Sequence, residues 1–145
     1  MVNVKLLRVP CNEPLKFHST RLQAPHFPPL ALGTITSYLR SKGINVDQDD
    51  LNIKLRYDNY YTKNKIDTSV FFNKKRVIDY IKGKEDEYLE KICKKIISKT
   101  NFNDINLIFL SAETSQGGFI YAIAISKFLK KIYNLPIIIG GFDLK

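Results

Sequence analysis

INLIFLSAETSQGGFIYAIAISKFLKKIYNLPIIIGG, residues 105–141, holds two short apolar runs with a longer amphipathic stretch between them. The first run, Ile105–Ser111, is too short for a buried helix and suits a buried strand. SAETSQGG, 111–118, is rich in hydroxyls and ends in two glycines, so it predicts a loop. Phe119–Tyr133 is apolar on most sides, as a helix covered by a sheet and by neighbours would be. Pro136 then opens Ile137–Ile139, a wholly apolar strand that runs into Gly140 and Gly141. Strand, helix and strand at this spacing form a βαβ unit, which requires parallel strands.

The pattern repeats upstream. Residues 2–9, VNVKLLRV, predict a first strand. Residues Pro10–Pro29 hold five of the six prolines and predict a long, stiff loop. Pro29 opens a helix, with Leu32, Ile35, Tyr38 and Leu39 on one face and Gly43 as its stop. INVDQDD, 44–50, predicts the second strand, Ile44 and Val46 pointing inward. Leu51–Thr68 is polar and tyrosine-rich and reads as an irregular excursion. Ser69–Ile81 predicts one helix, with Val70, Val77, Ile78 and Ile81 inside. Glu85–Thr100 predicts another, on a stripe of Tyr88, Leu89, Ile92, Cys93, Ile96 and Ile97. Apolar strands alternating with helices imply an α/β fold, a doubly wound parallel sheet between two helical layers.

Composition bounds the rest. The 145 residues fit one domain, 1–145, and 44% hydrophobic residues are enough for a core. No apolar stretch is long enough to span a membrane, and the apolar run at the N-terminus is too short for a signal peptide. Cys11 and Cys93 stand far apart, with no Cys-x-x-Cys and no three-cysteine motif, so these residues make no self-contained zinc or iron–sulfur site. Two thiols in this context point to the cytoplasm. The net charge of +9 is spread over amphipathic helices with acids mixed in, and no nucleic-acid recognition motif accompanies it. Nucleic acid is therefore not the expected partner, and neither is a membrane.

In doubly wound folds the ligand lies at the carboxyl ends of the strands. Three loops end there: Pro10–Pro28, Ser111–Gly118 and Gly140 onward. The first holds no glycine fingerprint for a dinucleotide, and no phosphate-binding P-loop occurs. The third strand ends on Ser111 and not on aspartate, which excludes a phospho-acceptor receiver domain. What the loops offer is hydroxyl, amide and bare backbone: Ser111, Thr114, Ser115, Gln116 and the paired glycines. Such groups suit a large neutral or weakly anionic ligand. Taken singly they also suit a helix cap at Ser115 and ordinary turns.

Four segments in order resemble the N-terminal cobalamin-binding domain of cobalamin-dependent radical S-adenosylmethionine enzymes. They are PPLALGTITSYLRSKG, INVDQDDLN with its Asp50-Leu51-Asn52 ending, LIFLSAETSQ and PIIIGG, and together they span nearly the whole chain. The resemblance implies a flavodoxin-like sheet in the order 2-1-3-4-5, of which four strands are present here. It also implies cobalamin over the carboxyl ends of the strands. Cys11, Asn12, Ser111, Glu113, Thr114, Ser115, Gln116, Gly140 and Gly141 would then face the cofactor. Ser111 and Thr114 would contact its nucleotide tail, and the two glycines would let the tail pass. Glu113 stands where related domains often carry leucine. Methyltransferase-type domains carry Asp-x-His-x-x-Gly after the first strand, whereas this chain reads Pro10-Cys11-Asn12-Glu13-Pro14. The expectation is cobalt without a histidine from that motif and no protein metal ligand, His18 and His26 lying further along the loop.

The family continues past its double glycine into a fifth strand, a linker and a barrel that holds S-adenosylmethionine and a 4Fe–4S cluster. By the resemblance, this chain is the cofactor-holding piece of such an enzyme and not catalytic alone. Its fourth strand would be an open edge available for self-association. The competing expectation is a Rossmann-like protein-interaction domain that keeps the fold and binds no cofactor.

Overall fold

Alternation along the central strand sorts the side chains into two cores. The computed structural model describes residues 2–10, 30–63, 65–112 and 118–141. Strand β1 (Asn3–Arg8) lies between β2 (Asn45–Asp50) and β3 (Leu107–Ser111), and β4 (Ile137–Gly140) lies outside β3. All pairings are parallel and the order is β2-β1-β3-β4, as expected. Val4 and Leu6 point to one face, where they meet Val46 and Leu32 of helix α1 (Leu30–Ser41). Leu7 and Val9 point to the other and join the larger core with Ile108 and Leu110. That core is closed by α2 (Leu51–Tyr61), α3 (Lys74–Ile81), α4 (Glu87–Ile97) and α5 (Gly118–Tyr133). Helices thus cover both faces, and the fold is the doubly wound α/β arrangement.

Helix α1 ends as the sequence predicts. Gly43 adopts φ 75°, its amide bonds to Arg40 O, and the Ile44 amide reaches back to Leu39 O at 3.1 Å. The buried members of α1 are Leu32 and Thr36, however, and Tyr38 is 62% exposed. The apolar stripe runs through 32, 35, 36 and 39, with the Thr36 hydroxyl satisfied by Gln48 Oε1 at 2.7 Å.

Two expectations for the middle of the chain are corrected. Leu51–Tyr61 is a helix, α2, and not an irregular excursion. Asp50 ends β2 and caps α2, its Oδ1 accepting the Ile53 amide at 2.9 Å. Ser69–Ile81 is not one helix. Ser69–Phe72 is a 3-10 turn, and Asn73 then caps α3 by accepting the Arg76 amide. In α3 the buried residues are Val77 and Tyr80, while Ile78 and Ile81 are exposed. Helix α4 buries Leu89, Ile92, Cys93, Ile96 and Ile97 as predicted, but Tyr88 turns outward under the Arg76 guanidinium. No helix among the described residues is long and apolar enough to cross a membrane.

Candidate functional site

The last residues of the four strands stand side by side. Arg8 of β1 is in register with Asp50 of β2 and with Ser111 of β3, and Ser111 is in register with Gly140 of β4. Register partners in a parallel sheet share a face, so Asp50, Arg8, Ser111 and Gly140 form one row. Alternation from Val4 and Leu6 puts this row on the face that α1 covers. The row lies at the carboxyl ends of the strands. Its middle pair, Arg8 and Ser111, ends the two strands between which the chain reverses direction: β1 leads outward to β2, and β3 leads the other way to β4. That reversal is the topological switch point, where open α/β sheets bind their ligands.

Arg8 is 4% exposed, and its Nη1 donates to Asp50 Oδ2 at 3.2 Å. Asp50 therefore serves two masters: one oxygen caps α2 and the other meets the guanidinium. Strand β1 carries a second buried cation. Lys5, on the opposite face and 2% exposed, has two carboxylates within reach, Asp47 at 2.6 Å and Asp49 at 3.3 Å. Burial opposes the charge on Asp49, but hydrogen bonds from Lys54 and Lys5 outweigh it and hold the carboxyl below its ordinary range. Sequence reading singled out neither cation. The signal was present in VNVKLLRV, where both interrupt a strand otherwise buried on both faces.

The paired glycines have an internal reason. A Cβ on Gly141 would lie 1.8 Å from Ala112 O, and one on Gly140 would lie 2.9 Å from Phe109 Cζ. The Ala112 amide donates to Gly140 O at 2.8 Å, which draws the ends of β3 and β4 together. The close backbone approach at Gly141 is an approach to Ala112. Ser111 is half-buried beside it.

Of the residues that the sequence assigned to the site, Ser111, Gly140 and Gly141 are brought together at the ends of β3 and β4. Cys11, Asn12, Glu113, Thr114, Ser115 and Gln116 lie outside the described residues, as do His18 and His26. Among the described residues no group of three or more His, Cys, Asp or Glu is placed to hold a metal ion. A small pocket of about 50 Å³ sits elsewhere, between α3 and the turn that leads into α4, lined by Arg76, Asp79, Tyr80, Lys84, Glu85 and Asp86. It is far smaller than sites that hold a drug-sized ligand, which run to roughly 300–1,000 Å³. No protein-family model, curated protein or solved structure matches the chain.

Proposed function

We propose that this chain is the cobalamin-holding module of a radical S-adenosylmethionine enzyme, a methyltransferase or a relative of one. The observation that carries the reading is the row at the switch point, where Ser111 and Gly140 end adjacent strands beside a buried cation. The donor set fits the tail of such a cofactor: a half-buried hydroxyl beside a buried arginine. Bound cobalamin supplies group-transfer chemistry at its cobalt, and the protein's part is to hold and orient it. The radical chemistry belongs to a separate barrel with its S-adenosylmethionine and 4Fe–4S cluster, since these 145 residues carry two cysteines and no three-cysteine motif. The compartment that suits this enzyme class is the cytoplasm.

The test is direct. Protein reconstituted with hydroxocobalamin and passed through gel filtration should retain the corrinoid absorbance. His18→Ala and His26→Ala should leave the bound spectrum unchanged, and loss of a histidine-type electron paramagnetic signature in either would show a histidine on cobalt. Colourless protein favours the second reading, an interaction domain that has kept the fold alone. One observation speaks for that alternative: Phe109 and Ala112 already account for both glycines.

A further inference from the structure

We propose that the outward face of α4, with the exposed tyrosines of α2 beside its end, is a docking surface for single-stranded nucleic acid. Its lysines meet phosphates and its rings stack on bases. The proposal does not depend on the corrinoid reading. Helix α4 leads into the amino end of β3, so the end of this surface at Lys99 lies away from the row at the carboxyl ends of the strands.

Charge read along the chain gives no sign of such a surface, because lysines and acids are mixed in sequence. The fold sorts them. Helix α4 turns Leu89, Ile92, Cys93, Ile96 and Ile97 inward. The positions left outward in its second half are Lys91, Lys94, Lys95 and Ser98, which share one face at helical spacing and are all exposed. From Lys91 to Thr100 the sequence has four lysines and no acid. The acid just before them, Glu90, is taken by Lys131 at 3.0 Å. Among the described residues no carboxylate pairs with Lys91, Lys94 or Lys95. The helix dipole accounts for lysine in the last turn. It does not account for what stands beside the lysines.

The stripe continues to Lys99, and there it meets aromatic rings. Lys99 Nζ pairs with Asp58 of α2 and lies 6.0 Å from the centre of the Tyr57 ring. Tyr57 and Tyr61, one turn apart, bring their ring centroids to 5.3 Å. They are 56% and 76% exposed, so burial in the core is not their role. Cations that follow a phosphate backbone, joined to exposed rings on which bases stack, are the combination by which proteins hold single strands. A duplex offers phosphates, but its bases are already stacked on one another. An acidic peptide would satisfy the lysines and leave the rings without a flat partner.

The experiment follows the fluorescence anisotropy of an oligothymidylate of about 12 nucleotides, within the usual range of site sizes, as the 145-residue chain is added at several salt concentrations. Wild type should bind, and more weakly as salt rises. Lys91→Gln, Lys94→Gln and Lys95→Gln combined should flatten the slope of log affinity against log salt by about 2, at roughly 0.7 per phosphate contact. Tyr57→Leu with Tyr61→Leu should weaken binding roughly fivefold or more, the effect of losing a stacked base, and leave the slope unchanged. Lys74→Gln, Lys75→Gln and Lys82→Gln combined remove the same charge from exposed positions on α3 and its C-cap, and should bind nearly as wild type does. Circular dichroism checks that each variant is folded. If the tyrosine variant is not, competition by duplex decides the same point. A wild type that does not bind, α4 and α3 variants that bind alike, or a tyrosine variant that binds as wild type does overturns the proposal. So does a duplex of the same length bound as tightly, or polyglutamate that displaces the oligonucleotide as readily as unlabelled oligothymidylate, either of which marks attraction to any polyanion. Added hydroxocobalamin should leave the oligonucleotide bound, so this proposal and the corrinoid reading fail separately.

Discussion

Gly141 and Gly140 differ in what a methyl group would strike. At Gly141 it would meet the backbone oxygen of Ala112, which cannot rotate away. At Gly140 it would meet the far edge of the Phe109 ring, which can tilt. Gly141→Ala should therefore destabilise the fold by about 1–3 kcal/mol, the range for overpacking, and Gly140→Ala by less. Thermal melts check the order of the two. Gly140→Ala that melts like wild type and loses corrinoid would place the ligand against that backbone. Cys93 presents the opposite case of a reactive group silenced by its setting. It lies on the buried stripe of α4, and burial, reinforced by the Glu90 carboxylate, pushes its thiol up to about 12. In a Cys11→Ser background, the folded protein at pH 8 should show no fast reaction with a disulfide reagent. Rapid labelling there would mean that α4 opens readily.

Helices α3 and α4 are joined by Asp86, whose carboxylate takes the Arg76 guanidinium on both oxygens and also caps α4 at the Leu89 amide. The hydrogen bond from Arg76 is the chief reason that the carboxyl sits below its ordinary range, with burial opposing. A carboxyl depressed in the folded state stabilises above its unfolded value, near about 4, and that stability is lost as the pH falls through the folded value. Asp49 acts in the same direction. Acid unfolding should therefore steepen below about pH 4. Asp86→Asn keeps a good cap and should flatten that acid limb. Asp86→Ala should cost a further ~1 kcal/mol at neutral pH through loss of the cap. Urea midpoints across pH measure both, and an unchanged acid limb in Asp86→Asn would show that the pair contributes nothing. The same elements show what was legible in the sequence. Helix α4 was plain because Leu89, Ile92, Cys93, Ile96 and Ile97 are all apolar. Helix α2 was hidden because two of its buried positions, Asn52 and Asp58, are polar, Asp58 being held by Lys99. Positions 51, 52, 55 and 58 have helical spacing once polar residues are admitted, and Asp50 before them is a cap. The break at Asn73 was missed for a similar reason, since Val70 and Val77 keep helical spacing across a turn and a cap. At the site, Ser111 and the glycines were visible as loop chemistry. Arg8 was not, because its meaning comes from register with Asp50 and Ser111, and register is a property of the sheet.

At the scale of the molecule, the two faces of the sheet are covered unequally. Four helices close the larger core, whereas α1 packs over β1 and β2. On the α1 face, Leu107 and Phe109 of β3 are half-buried and Ile138 of β4 is 47% exposed. β4 pairs with β3 along one side, and among the described residues no strand pairs with its other side. An apolar edge strand with unpaired backbone groups is a template for further pairing. The side chains of Ile137 and Ile139 are turned toward the larger core, so Ile138 is the residue of β4 most open to solvent. The chain's high positive charge works against association at low ionic strength, and salt screens that repulsion over about 10 Å at 0.1 M. We expect the 145-residue chain to self-associate through the β4 edge, more so as salt is added. Ile138→Lys places a charge on the exposed face of that strand without touching the larger core, so it should block association and leave the melting temperature nearly unchanged. Light scattering and sedimentation over a range of protein and salt concentrations test this. A wild-type chain that stays monomeric in high salt, or an Ile138→Lys chain that associates as wild type does, would remove β4 as the contact.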